Sequence, residues 1–336
     1  MIYESVVSCV GQTPLVRLSR LFPNQGLDVI AKLEFLNPGG SVKDRPSRFI
    51  IEQGLQDKTI DSKTHLIEST SGNLGIALAM VARVYNLTFT CVVDPKVSQT
   101  NLRILQLLGA NIEMVHEPDD QGGYLKSRIR RVNQLVQAIP QSLWINQYAN
   151  ELNWKSHYYA TGSEIVANLD GPIDCLILAV STTGTILGVS RSLRQKFPHL
   201  RVIAVDAVGS VIFGAPPEPR EIPGIGASRI PELLNESKSE IDEVIYVNDW
   251  ESAQACRDLV AYEGIFAGGS SGSVIAAIRK LLPSLPSRYR IVTILPDRGE
   301  RYLNLVYDDD WVAQLPLKVH PTVSTLSNSI LGSKQN

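Results

Sequence analysis

The chain has 336 residues, 44% of them hydrophobic and 20% charged, a composition that excludes a disordered protein and suits a packed globular one. Its net charge of −2 gives no electrostatic case for nucleic acid or a membrane surface as partner, and no apolar run approaches the ~20 residues of a membrane span. Met1 to Val10 carries Glu4 and lacks a basic n-region, so no signal peptide is expected and a cytoplasmic location is. Cys9, Cys91, Cys175 and Cys256 stand far apart, without a CxxC pair or nearby histidines. They are read as buried thiols in a reducing compartment, with neither a zinc site nor a disulfide framework. The length suits roughly two domains of ~100–200 residues.

In chain order, Gly11-Gln12-Thr13-Pro14-Leu15 is a turn before an alternating segment, and residues 28–35 read as a strand. That strand delivers the chain to Asn37-Pro38-Gly39-Gly40-Ser41-Val42-Lys43-Asp44-Arg45, and helical spacing follows over 45–58. Strands are expected at 65–68, 88–93 and 111–115, and helices at 76–85, 100–108 and 124–139. The second half repeats the alternation, with strands at 174–180, 201–206, 244–247 and 290–295 and helices at 151–169, 186–196, 250–263 and 274–282. Strands alternating with helices of this length predict parallel sheets with right-handed crossovers. The segment 316–336, rich in serine and threonine, is expected to be poorly ordered.

Four strand-to-helix turns are polar and contain glycine: the lysine turn, Thr70-Ser71-Gly72-Asn73-Leu74-Gly75, Ser181-Thr182-Thr183-Gly184-Thr185, and Gly268-Gly269-Ser270-Ser271-Gly272-Ser273. Ligands of open α/β sheets bind beyond the carboxyl ends of strands, where helix N-termini offer free N–H groups to anions. Any one of these turns could simply cap a helix, and Lys43 alone could be a solvated lysine. Four together predict an anion site with several contact points. No Walker lysine pattern and no GxGxxG fingerprint is present, so a nucleoside triphosphate or dinucleotide is not the expected ligand. A lysine at one turn and an anion cradle at another are what pyridoxal 5′-phosphate requires. A cofactor-free binding protein of the same fold is the alternative of a different class.

These motifs, from Gly11-Gln12-Thr13-Pro14-Leu15 to Gly299-Glu300-Arg301-Tyr302-Leu303, resemble the cysteine synthase/cystathionine β-synthase family of fold-type II pyridoxal-phosphate enzymes. The resemblance implies two interwoven α/β domains of the tryptophan synthase β-like kind, each a mainly parallel twisted sheet flanked by helices. It implies a smaller mobile domain at 39–149, a larger cofactor-binding domain from 1–38 plus 150–315, and a homodimer. It also implies that Lys43 carries the cofactor as an imine and that Asn73 hydrogen-bonds its 3′-oxygen. Ser181, Thr182, Thr183, Gly184 and Thr185 would hold its phosphate, and Ser270 would face its pyridine nitrogen. Thr70, Ser71, Asn73 and Gln147 would bind the substrate, the α-carboxylate above all. A neutral serine at the ring nitrogen makes a weaker electron sink than a carboxylate would, which favours prompt loss of a β-substituent.

Departures from the family pattern narrow the substrate. Ser-Thr-Thr-Gly-Thr has one glycine where cysteine synthases usually have more, and Ser228-Arg229 puts a charge after the lid-like Gly224-Ile225-Gly226-Ala227. Tyr148 adds a hydroxyl beside Gln147, and Arg128 lies on a basic helix whose residues could equally form a solvated face. With the runs 65–73, 146–154 and 262–270, these features are similar to one branch of the family. Its members join O-phospho-L-serine to the amine of L-glutamate, through an aminoacrylate, on the way to 2,3-diaminopropionate and a siderophore. Arg128, Tyr148 and Arg229 are the residues this branch would use for the extra anionic groups. A sulfide-using cysteine synthase is the alternative reading of the same chemistry.

Overall fold

The computed structural model describes residues 2–23, 26–119 and 122–316, and the backbone of 323–325. An antiparallel pair opens the chain: β1 (Leu15–Arg17) and β2 (Leu27–Leu33). The lysine turn then leads into α1 (Asp44–Asp57). Next come β3 (His65–Ser69), α2 (Asn73–Val84), β4 (Thr88–Val93), α3 (Gln99–Leu107), β5 (Asn111–Met114), α4 (Leu125–Ala138) and β6 (Ser142–Trp144). These four strands form a separate, wholly parallel sheet in the order β5-β4-β3-β6.

After α5 (Glu151–Ser156) and α6 (Ser163–Asn168) the chain returns to the first sheet with β7 (Cys175–Ala179). There follow α7 (Gly184–Arg194), β8 (Arg201–Ala207), β9 (Glu243–Val247), α8 (Asp249–Glu263), α9 (Gly269–Leu281), β10 (Tyr289–Leu295), α10 (Asp309–Gln314) and β11 (Val323–Thr325). The completed sheet has the order β1-β2-β10-β7-β8-β9-β11, parallel except for its two edge strands. An α/β architecture with parallel-rich sheets is therefore as expected. Of the segment 316–336, Val323–Thr325 pairs with β9, and the remainder from residue 317 lies outside the described residues.

Both faces of the larger sheet are covered. Along β7, Cys175 and Ile177 enter one apolar cluster while Leu176 and Leu178 enter another on the opposite face, and all four are at most 1% exposed. This is why the strand reads as an unbroken apolar run with no alternation. α8 starts at a capping box, with Asn248 accepting from the Glu251 backbone and Glu251 reaching back, and it stops at Gly264 in the left-handed region.

Four local expectations need correction. The helix expected over 151–169 is divided by a π-helical turn at His157–Gly162, where Gly162 and Gly188 bring it against α7. A Cβ on Gly188 would sit 2.1 Å from the Trp154 carbonyl, so close approach fixes that glycine. β6 is three residues long, too short for its alternation to register. Cys9 is exposed; the other three cysteines are buried. The glycine turns are also shorter than they read, because α2, α7 and α9 begin at Asn73, Gly184 and Gly269. Asn73, Thr185, Ser270 and Ser271 thus lie in first helical turns, with Ser71 and Thr183 just ahead of them, which strengthens the case for anion binding.

Candidate active site

Pro296, Asp297 and Arg298, at the carboxyl end of β10, join the lysine turn to the start of α9. The Val42 N–H donates to the Pro296 carbonyl at 2.8 Å, and Ser41 forms an isolated bridge with Asp297. On the other side the Gly268 N–H donates to the Asp297 carbonyl at 2.9 Å, and Ala267 bridges Arg298. Lys43 lies half-buried just before α1 and lines one pocket with Ser181, Thr182, Thr183, Thr185 and Gly224. Loss of water lowers the pKa of its ammonium group, partly opposed by the Asp297 carboxylate. Such an amine is closer to its nucleophilic, neutral form than a surface lysine is.

A buried ionic network holds the lysine turn from behind. The Arg45 guanidinium donates to both Glu34 oxygens at 2.6 and 2.7 Å and to both Glu164 oxygens at 2.7 Å. Lys32 Nζ lies 2.8 Å from Glu164 Oε2 and donates to the Thr13 carbonyl at 2.8 Å, while the Thr13 hydroxyl donates to Glu34 at 2.6 Å. Two cations meet two carboxylates here with almost no solvent contact. Burial alone would raise the Glu34 carboxyl, but Arg45, Lys32 and the Thr13 hydroxyl together outweigh it and hold Glu34 below its ordinary value.

Asn73, the first residue of α2, donates its amide to Asp297 Oδ2 at 2.7 Å and accepts from the Arg301 guanidinium. Arg301 also donates to the Gly39 carbonyl at 2.7 Å, tying the lysine turn to the Asn73 turn. The Tyr302 hydroxyl donates to the same Asp297 oxygen at 2.6 Å, while Asp297 Oδ1 is buried without a hydrogen-bond partner among the described residues. Burial raises the Asp297 carboxyl above its usual value. Sequence reasoning missed Asp297, Arg301 and Tyr302; their one signal was a Pro-Asp-x-Gly run at a strand end.

Thr70 and Ser71 continue β3, and Gln147 follows β6. Glu68, 2% exposed, connects the two: it accepts from the Ser69 N–H at 2.7 Å, Trp144 Nε1 at 3.2 Å and the Gln147 N–H at 3.2 Å. Burial pushes its carboxyl up to about 7, with these donors and the Arg229 charge opposing. The Arg229 guanidinium stacks on the Tyr148 ring, 4.3 Å from the centroid, and pairs with Glu232 at 3.1 Å. Tyr148 and Arg229, far apart in sequence, are thus in contact beside Gln147. Arg128 lies 3.3 Å from Asp94, and its Nε and Nη1 are buried without a hydrogen-bond partner among the described residues.

The turn Ser181–Thr185 closes the pocket at the N-terminus of α7. Thr183 sits at φ 65°, a left-handed conformation that costs a β-branched residue about 1–3 kcal/mol. Gly184 has room for no side chain, since a Cβ would lie 2.3 Å from Asn153 Oδ1. Ser270, the second residue of α9, is 2% exposed, and the neighbouring Ser271 hydroxyl is buried without a partner among the described residues. No group of His, Cys, Asp or Glu among the described residues could hold a metal ion, and no helix there is long and apolar enough to cross a membrane.

An amine with a lowered pKa and a hydroxyl-rich helix N-terminus in one pocket fit pyridoxal 5′-phosphate, one for its aldehyde and the other for its phosphate. The fold and this donor set define a pyridoxal-phosphate-dependent enzyme of fold type II. The family model for pyridoxal-phosphate dependent enzymes matches residues 6–297, and the chain belongs to that family. It is 58% identical over 315 residues to the N-(2-amino-2-carboxyethyl)-L-glutamate synthase of Ralstonia nicotianae, covering 94% of this chain and 93% of the relative. Among solved structures it is similar to the O-acetylserine dependent cystathionine β-synthase of Helicobacter pylori, at 34% identity and a TM-score of 0.84, covering 90% of this chain and 98% of that one. An O-ureido-L-serine synthase matches at 30% identity and a TM-score of 0.85, over 93% of this chain and 100% of that one. The protein is a transferase of the β-replacement type.

Proposed function

We propose that the protein joins O-phospho-L-serine to L-glutamate, forming N-(2-amino-2-carboxyethyl)-L-glutamate and inorganic phosphate. The observation that carries the choice of substrates is the 58% identity, over nearly the full length of both chains, to a synthase of that product. When bound, pyridoxal phosphate supplies the electron sink that loosens the bonds at Cα and Cβ. The Lys43 amine takes the Cα proton. The Cβ–O bond breaks with its electrons leaving on phosphate, the glutamate nitrogen bonds to Cβ and gives up a proton to solvent, and the Lys43 ammonium returns a proton to Cα.

Thr70, Ser71 and Gln147 hold the substrate α-carboxylate, in a pocket whose two walls Glu68 ties together. Asn73, fixed between Asp297 and Arg301, would orient the cofactor through its 3′-oxygen. Ser181–Thr185 would hold the phosphate group, and Ser270, with its neutral hydroxyl, would serve the ring nitrogen, which favours early loss of the β-substituent. Arg229, stacked on Tyr148, and Arg128, whose Nε has no hydrogen-bond partner among the described residues, serve the leaving phosphate and the glutamate carboxylates. Residues 39–149 form a smaller lobe that closes on a larger one from 1–38 and 150–315, in a cytoplasmic homodimer. Two-electron oxidation of the product to an imine at the glutamate carbon by an external electron acceptor, followed by hydrolysis, would release 2,3-diaminopropionate and place the enzyme in siderophore biosynthesis.

The test is mass analysis of products from O-phosphoserine supplied with glutamate or with sulfide. The glutamate adduct is expected as the main product. Cysteine formed at a much higher rate with sulfide would make the protein a cysteine synthase instead.

A further inference from the structure

Behind the hydroxyl-rich turn lies a layer of two buried side chains whose role extends the proposed function and rests on its assignment of Ser181–Thr185 to the cofactor phosphate. A phosphate dianion only accepts hydrogen bonds, so a hydroxyl helps to hold it only if its own hydrogen is free to point at it. Thr183 fails this condition, because its hydroxyl donates to the Thr182 carbonyl at 2.7 Å. Thr182 and Thr185 are placed differently.

Asn153, on α5 and 3% exposed, donates from Nδ2 to the Gln147 carbonyl at 2.8 Å and to Thr182 Oγ1 at 3.1 Å. The Gln147 carbonyl can only accept, which fixes the nitrogen end of the amide on that side. The second bond occupies a lone pair of the Thr182 hydroxyl and leaves its hydrogen free. The amide cannot swing away, since it lies flat against Gly184.

His157, fully buried in the π-helical turn, lies with Nδ1 2.9 Å from Thr161 Oγ1 and Nε2 3.2 Å from Thr185 Oγ1. Burial, with the charges of Lys43 and Arg45, keeps its ring neutral at pH 7. One ring nitrogen therefore donates and the other accepts. With the hydrogen on Nε2, Thr161 donates to Nδ1 and the Thr185 hydroxyl keeps its hydrogen for the anion. With the hydrogen on Nδ1, Thr185 would spend its hydrogen on the ring. π-helical turns are rare and concentrate at functional sites.

We propose that Asn153 and His157 are positioning residues: each donates to a threonine of the turn, so that the Thr182 and Thr185 hydroxyls face the phosphate as donors. Through its second hydrogen, Asn153 also fixes the Gln147 carbonyl, so one amide serves the phosphate end and the carboxylate end of the site.

The experiment compares dissociation constants of pyridoxal 5′-phosphate and of pyridoxal, which lacks the phosphate, for the full-length apoprotein and its variants. The ratio of the pyridoxal constant to the pyridoxal-phosphate constant isolates the phosphate contribution from any general loss of structure. In Asn153→Asp, an acceptor of the same shape takes the Thr182 hydrogen, and the ratio should fall tenfold or more while pyridoxal binding changes little. Thr182→Val should do the same, and the double variant should lose no more than either single one. Additive losses would mean that the aspartate acts by charge repulsion alone and would overturn the inference, as would an unchanged ratio in Asn153→Asp. A ratio near one in the unaltered chain would instead remove the phosphate assignment itself. For His157, nitrogen-15 NMR of the unaltered protein, assigned by the signal lost in His157→Gln, should show the hydrogen on Nε2; an Nδ1-bound hydrogen would contradict the proposed role.

Discussion

Replacing Glu68 with glutamine should change how stability depends on pH, by an amount that follows from its burial. The Glu68 carboxyl keeps its proton to about pH 7 in the folded chain, against an ordinary value of 4.5. Between those values the folded state binds more protons than the unfolded state, so stability falls as pH rises through the window. At about 1.4 kcal/mol per pH unit, the penalty grows to about 3 kcal/mol by pH 7.5. Glu68→Gln has no charge to bury, although its amide nitrogen meets the Gln147 N–H and costs about 1 kcal/mol at every pH. Asp44 and Asp206, also pushed up to about 7 by burial, are common to both proteins and cancel in the comparison. Urea unfolding of the two apoproteins at pH 4.5 and 7.5 should show their stability difference moving by about 3 kcal/mol in favour of the variant. A difference that stays flat would mean that Glu68 titrates as an ordinary carboxylate, and the account of this wall of the site would fail.

Other outcomes follow from the same geometry. Lys43→Ala should fold and lose the imine absorption band; a variant that keeps the colour would displace Lys43 as the cofactor-bearing residue. Gly184→Ala drives a methyl group into Asn153, so it should cost about 1–3 kcal/mol in a urea melt and weaken cofactor binding. Glu164→Gln leaves Lys32 and Arg45 short of a buried counter-charge and should lower stability by about 3–5 kcal/mol, read from the same melts. Arg229→Ala and Tyr148→Phe should reduce turnover and raise the KM for glutamate while cofactor retention holds; cofactor-free protein from either would sink their assignment to substrate.

The parallel sheets were legible because apolar runs such as Cys175 to Val180, buried on both faces, alternate with helices of suitable length. The turns around Lys43, Asn73, Thr183 and Ser270 were legible because glycine beside hydroxyl residues at a strand end has few other uses. Asp297, Glu68, Asn153 and His157 were not. Each acts through a partner 28 to 224 residues away in the chain, as in the Asn73–Asp297, Glu68–Gln147, Asn153–Thr182 and His157–Thr185 contacts, and nothing in the local pattern distinguishes such a buried side chain from a surface one. The division of the helix at 157–162 was hidden for a similar reason. Tyr158 and Tyr159 keep helical spacing, and only the close packing of Gly162 and Gly188 across to α7 and α5 shows where the pitch must change.

A competition between the two nucleophiles decides which one the enzyme uses. The holoenzyme, given O-phospho-L-serine with equimolar nitrogen-15-labelled glutamate and sulfide, should release one phosphate for each labelled N-(2-amino-2-carboxyethyl)-L-glutamate formed, with cysteine a minor product. Cysteine as the dominant product, with the label remaining in free glutamate, would make sulfide the nucleophile instead.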